Sequence, residues 1–346
     1  MTVACEVYDP RVDPEPPGWP EFRRHLYQPW DYDLLRVDAW MARNPPLLVL
    51  AREGGAVVAA MTAMVCGLVD VRRFARAPGS RRVGGLRLAQ VFQPWLGEAG
   101  FTFADGVEPG ERRGLLRALE RAVRRRLGVG LTAVVYRNVP LELVPLVSGR
   151  GRLVREVAVP AAVLTNTWRT DEEWLASLSR NRRKNVRRID RLVAADDSLV
   201  VDTGPARSDV DGAELAAMLR EHRAGHGRQP FDPRGPVAAA YLGALVRRPD
   251  VHTLTYRERD GELIAFCTML DHPQVPFLQF WASRARVDGG RPHLYFDCHA
   301  RAVRHVIARG LGGLAAGRGM FEQKASLGFA AQRMCVVAAP APVVGR

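Results

Sequence analysis

The chain has 346 residues, a length that corresponds to two domains of ordinary size. Apolar residues make up 47% and charged residues 25%, which excludes a disordered tail and allows a core without disulfides or a structural metal. The net charge of +13, nearly all of it arginine, fits either a bias along the whole chain or an anionic partner: CoA, a carrier protein, tRNA or a nucleotide-linked substrate.

Residues 1–20 read as an irregular lead-in. They are rich in proline and carry no positive n-region, so no secretory signal is expected. Asp31 to Ala42 predicts a short helix, stopped by Asn44-Pro45-Pro46. Leu47 to Ala51 and Ala56 to Cys66 predict a hairpin around Glu53-Gly54-Gly55. A basic, glycine-containing loop over 72–85 precedes a strand at Leu86 to Phe92. Glu111 to Leu127 predicts a helix with Leu115, Leu116, Leu119 and Val123 on one face, and Leu131 to Tyr136 a strand.

Val154 to Leu164 predicts an apolar strand. Thr170-Asp171-Glu172-Glu173 is a capping box that opens a helix running, or re-forming, through Arg191. Helices follow at Glu214 to Arg223 and Pro236 to Val246. Strands at His252 to Arg257 and Leu263 to Leu270 flank an Asp260-Gly261 turn, and Phe277 to Ala282 is a third. A Gly-Gly loop over Arg286 to Arg291 leads into a helix at Leu294 to Arg309. Leu314 begins another strand, and Phe329 to Val337 is expected to close the sheet.

Helix, hairpin, strand, loop, helix, strand therefore occurs twice, which divides the chain into domains at 1–150 and 151–346. Both read as α/β (α+β), each with a mixed sheet flanked by helices. Five widely spaced cysteines without a CxxC argue for reduced thiols and a cytoplasmic protein. No uninterrupted apolar run reaches about 18 residues, so no membrane span is expected. His222 and His226 stand at i, i+4 with no third ligand apparent, so no metal is expected. Nothing points to DNA.

Between Arg180 and Arg191, seven of twelve residues are basic. Val186, Ile189 and Val193 supply a narrow apolar seam, while Arg180, Lys184, Arg187 and Arg191 share an outward face. Such a helix can bind phosphates through arginine forks or contact tRNA. It can equally be a solvated helix whose arginines pair with nearby carboxylates.

Two stretches carry a resemblance. Trp174 to Arg191, with Leu178-Ser179 followed by Arg183-Lys184-Asn185-Val186-Arg187-Arg188, is similar to a segment common in FemAB-like proteins. Pro292 to His299, then Gly317-Arg318-Gly319 and Lys324 four residues before Gly328-Phe329, is similar to the closing pattern of the same family. The resemblance covers roughly 150–340 and implies a tandem GNAT fold that transfers an acyl or aminoacyl group to an amine. It implies no bound cofactor, with acyl-CoA or aminoacyl-tRNA as co-substrate. It also implies Lys324 as the cation that stabilises the oxyanion or contacts the donor. By the same analogy Gly289, Gly290, Arg291 and His293 surround donor phosphates, joined by Arg180, Arg183, Lys184 and Arg187 of the basic helix. Tyr295, Asp297 and His299 are candidates for handling the proton of the amine, as are His222 and His226.

One departure stands out. The GNAT pyrophosphate loop reads Arg/Gln-x-x-Gly-x-Gly/Ala, and neither Arg81-Arg82-Val83-Gly84-Gly85-Leu86 nor Arg286-Val287-Asp288-Gly289-Gly290-Arg291 fits it. The expectation is an N-acyltransferase using an acyl-CoA or carrier-bound donor on a small-molecule or peptide amine. The alternatives are an aminoacyl-tRNA-dependent ligase of Fem type and a non-catalytic binding module that keeps the fold. The first domain is expected to be degenerate, with a structural or acceptor-shaping role.

Overall fold

In a computed structural model, residues 3–42, 44–67, 86–225 and 237–346 are described. The whole 72–85 loop, including positions 81–85 of the first near-match to a pyrophosphate loop, lies outside them, as do His226 and Pro236. The chain forms two compact units. In chain order the first contains β1 Ala4–Tyr8, α1 Trp19–Phe22, α2 Tyr32–Met41, β2 Pro46–Glu53, β3 Ala56–Gly67, β4 Arg87–Val91, β5 Phe101–Phe103, α3 Pro109–Leu127, β6 Leu131–Pro140, α4 Val144–Val147 and β7 Leu153–Glu156. The second contains β8 Ala161–Thr165, α5 Asp171–Ser177, α6 Arg180–Ala194, β9 Leu199–Pro205, α7 Gly212–Ala224, α8 Ala239–Val246, β10 Val251–Glu258, β11 Leu263–Leu270, β12 Phe277–Ser283, α9 Leu294–Ala308, β13 Gly313–Arg318, α10 Phe321–Ala325 and β14 Ala330–Gln332. The last strand, β15 Met334–Pro340, returns to the sheet of the first unit.

The two sheets share one plan. The first runs β1-β2-β3-β4-β6-β15-β7, with β5 paired to β3; the second runs β9-β10-β11-β12-β13-β8-β14. In each, the fourth and fifth strands are parallel and the helix between them, α3 or α9, makes the crossover. The duplicated order of elements is thus a duplicated mixed sheet, one in each unit.

Two expected strands divide. Val154 to Leu164 splits at Val157–Pro160: β7 pairs with β15 in the first sheet, whereas β8 pairs with β13 in the second. Pro160 has no amide to continue a ladder. Phe329 to Val337 splits likewise, β14 pairing with β8 and β15 with β6. In both sheets the sixth position is therefore filled by a strand distant in sequence. The expected division at 150 shifts accordingly: the first unit extends to Ala158 and regains Arg333–Arg346.

The amphipathic stripes are buried as the periodicity predicts. Leu115, Leu116, Leu119 and Val123 of α3 join the core of the first unit. Val186, Ile189 and Val193 of α6 join that of the second, with Trp174 and Val303. The basic helix re-forms after one break: Thr170 Oγ1 accepts from the Glu173 amide to cap α5, and Ser179 caps α6. All five cysteines are free. Among the described residues, no helix is long and apolar enough to cross a membrane.

Candidate functional site

The site is built where β12 and β13 part. Among the described residues these parallel strands share one register pair, Phe277 opposite Ala315, and then diverge. Two irregularities produce the opening. On β12 the ladder to β11 shifts around Thr268, a β-bulge in which the Phe280 amide donates to Thr268 Oγ1 at 3.2 Å. On β13, Gly317 takes φ +62°, a conformation open to glycine and costly to other residues.

On β13 the register against β8 also shifts between Ala315 and Arg318, and Lys324 of α10 meets the carbonyls there. Its ammonium donates to the Ala316 oxygen at 2.5 Å and the Gly317 oxygen at 3.4 Å from a side chain only 2% exposed. Burial pulls Lys324 down to about 8, opposed by the sulfurs of Cys267 and Cys298. Gln279 on the β12 bulge is the second unusual group. Thr268 donates its hydroxyl proton to the Gln279 Oε1 at 3.5 Å, and Gln279 Nε2 is buried with no hydrogen-bond partner. No pattern in the sequence marks Gln279, since the bulge that places it exists only in the sheet.

Helix α9 packs beneath. Tyr295 and His299, one turn apart, stand with ring centroids 4.3 Å apart. Trp281 lies 5.3 Å from Tyr295, and Phe329 lies 6.4 Å from His299. His299 Nδ1 bonds the Tyr295 carbonyl at 2.8 Å. Burial, with the charge of Lys324 second, lowers His299 to about 3, so its imidazole is neutral and a weak base. Burial raises the Tyr295 hydroxyl. Asp297 points elsewhere: it accepts from Tyr256 Oη at 2.7 Å and Arg301 Nε at 2.6 Å. Tyr295, His299 and Lys324 thus come together, and Asp297 does not join them.

The turn from β12 to α9 holds the glycine pair. Gly289 takes φ +87°, and a Cβ at Gly290 would stand 2.2 Å from the Arg284 carbonyl oxygen. His293 takes φ +72° at the start of α9, where no side chain caps the helix amides. Burial, then the charges of Arg188 and Arg286, lower His293. Cations therefore gather at an uncapped helix N-terminus, a setting that suits an anion. Arg188 is the residue of α6 that reaches this turn. Arg291 is committed instead to Glu258 at 2.5 Å and Asp196 at 3.4 Å. Arg183 caps the end of α5 through the Leu175 and Ala176 carbonyls. Arg180, Arg182, Lys184 and Arg187 are exposed, and among the described residues their side chains have no ion-pair or hydrogen-bond partner. His222 contacts the Ser283 backbone.

Residues 180–325 match the family model described as an acetyltransferase (GNAT) domain. Three solved structures share the fold. The C-terminal domain (DUF2156) of a protein from Agrobacterium fabrum, described as a lysylphosphatidylglycerol synthetase, aligns over 94% of this chain and 92% of its own with TM-score 0.57 and 12% identity. FemX aligns over 92% and 94% with TM-score 0.53 and 10% identity. L-PGS from Bacillus licheniformis aligns over 81% and 80% with TM-score 0.50 and 9% identity. At these identities the likeness is one of fold. Among curated proteins, none matches the chain in sequence.

Proposed function

We propose that this protein is an N-acyltransferase whose second unit takes an activated acyl donor, an acyl-CoA or a carrier-bound thioester, and passes the acyl group to an amine of a small molecule or peptide. The observation that carries this reading is the parted β12–β13 pair, with the buried ammonium of Lys324 from α10 set against β13 carbonyls and a buried, unpaired amide donor, Gln279, on β12.

In the reaction, the amine nitrogen attacks the thioester carbonyl, the C–N bond forms and the C–S bond breaks. The sulfur leaves as thiolate and takes up a proton, and the amine loses one. Charge develops on the carbonyl oxygen between these events. Lys324 supplies a cation to that oxygen, and Gln279 Nε2, a buried donor without an acceptor on β12, is assigned as a second donor. Neutral His299 and Tyr295 form a water-poor floor, with proton transfer falling to water or the acceptor. Asp297 anchors α9 through Tyr256 and Arg301.

The donor phosphates are assigned to the turn at Gly289, Gly290 and His293, near Arg188 and Arg286. The first unit is given a structural or acceptor-shaping role, because its corresponding helix α3 begins with Glu108 and Glu111 and would repel an anion.

A second reading, an aminoacyl-tRNA-dependent ligase of Fem type, is favoured by one observation, the unpaired outward cations of α6. Mass spectrometry of ligand co-purified with the protein separates the two. Bound CoA or acyl-CoA, with transfer indifferent to RNase, supports the first; bound tRNA, with transfer abolished by RNase, supports the second and overturns the first.

A further inference from the structure

Unit two contains a cavity of about 370 Å³ between α9 and the sheet. Its walls follow the strand register. Leu254 of β10 stands opposite Cys267 of β11, and Met269 stands opposite Leu278 of β12. Helix α9 contributes Cys298, Arg301, Ala302 and His305, a single stripe at helical spacing. The inner end is formed by Cys267 and Cys298, 3% and 2% exposed, whose sulfurs both lie within electrostatic reach of the Lys324 ammonium. The outer end is open at Thr203, Arg301 and Ala308.

The cavity has little net charge to offer a ligand. Arg301 is paired with Asp297, and Arg304 with Asp171 and Asp190. His252 and His305 face each other at 4.8 Å, and burial lowers both. His305 Nε2 is already buried without a partner, so a chain laid against it costs no further desolvation. A charged head group therefore gains nothing here, and an uncharged hydrocarbon gains from the Leu254, Met269, Leu278 and Ala302 walls.

We infer that this cavity receives the hydrocarbon chain of the acyl donor, and that the donor is a medium-chain thioester and not acetyl-CoA. The volume far exceeds an acetyl group and, at interior packing density, suits a chain of about eight to twelve carbons. This inference rests on the acyl-transfer reading, which places the reacting carbonyl at Lys324, beside the cavity's inner end.

The experiment is calorimetric titration of the full chain with acetyl-, octanoyl- and dodecanoyl-CoA. Burial of each methylene tightens binding by up to about fourfold, so octanoyl-CoA is expected to bind at least about tenfold tighter than acetyl-CoA. Ala302→Phe, which fills the cavity, erases that difference and leaves acetyl-CoA affinity unchanged. Ala308→Trp, at the exposed rim, does the same in a variant whose fold is not at risk. Equal affinity for all three thioesters in the unmodified protein overturns the inference. If no thioester binds, the donor reading fails, and dodecanol then tests the cavity alone. A thermal shift with dodecanol that Ala302→Phe and Ala308→Trp both abolish keeps the cavity as an apolar-chain site, and no shift removes it.

Discussion

The Lys324 ammonium and the Ala316 carbonyl oxygen meet at 2.5 Å inside the second unit, where the lysine side chain is only 2% exposed. This contact satisfies a carbonyl beside the register irregularity between β13 and β8. It also holds a cation beside the parted strands, at a proton affinity far below that of a surface lysine.

Replacing Lys324 with Met is expected to lower kcat by about 10²–10³-fold, the usual cost of losing a charge-stabilising donor. The pH profile separates this from a structural role. With Lys324 at about 8, activity that needs the ammonium falls as pH rises through that value. Lys324→Arg removes that alkaline limb, because arginine stays protonated. The sign for stability is opposite. Between about 8 and 10.5 the unfolded chain binds the proton that the folded chain has lost, so stability rises with pH there. An unchanged alkaline limb in Lys324→Arg counts against the role.

Gln279 predicts a trade between stability and rate. Its Nε2 is buried without a partner, a state that costs about 1–3 kcal/mol. Gln279→Leu removes that cost and is expected to raise Tm, while lowering kcat about 10²-fold or more with KM little changed. A variant with full kcat would show the amide to be a bystander.

The fold was largely legible. The doubled order of elements and the stripes on α3 and α6 follow from periodicity that burial enforces. Which sheet a strand joins was not legible, because alternation marks β8 and β15 as strands without naming their partners. Within the site, Lys324 carried a usable signal: the chain has two lysines, Lys184 and Lys324, among 50 basic residues. Where arginine is the rule, a lysine in a buried slot marks a place that a guanidinium does not suit. Gln279 carried none, and Asp297 misled because its tyrosine and arginine partners become visible only when α9 is docked. The turn at 284–293 carries its glycine pair in the sequence, yet the cations acting on His293 are Arg188 and Arg286 and not Arg291.

Glu120 of α3 tests the first unit alone. The side chain is fully buried and accepts from Tyr136 Oη at 2.6 Å, Arg117 at 2.8 Å, Arg152 at 2.7 Å through both oxygens, and the Gly345 amide at 2.7 Å. Burial works to raise its pKa, and the hydrogen bonds from Arg152 and Tyr136 outweigh it, leaving the carboxyl below its ordinary 4.5. Its contribution is therefore complete above about 4.5 and is lost as pH falls through the lower, folded value. Glu120→Ala strands two arginines and is expected to cost about 3–5 kcal/mol. Thermal melts between pH 3 and 7 check both points, with the variant losing the acid-side slope as well as Tm.

The outward face of α6 predicts a salt dependence. Arg180, Arg182, Lys184 and Arg187 lack carboxylate partners among the described residues, so they are available to a polyanion without breaking existing ion pairs. Each phosphate contact adds about 0.7–0.9 to the slope of log K against log salt. Lys184→Gln with Arg187→Gln is expected to lower the slope for unfractionated tRNA by about 1.4–1.8 while leaving Tm unchanged, since neither side chain packs on the core. Affinity for a short acyl-CoA, held at the α9 turn near Arg188 and Arg286, is expected to stay the same in that double variant. If the tRNA slope does not move, the four cations only solvate the helix. If CoA affinity falls as well, the donor phosphates lie on α6, and the assignment to the 284–293 turn is wrong.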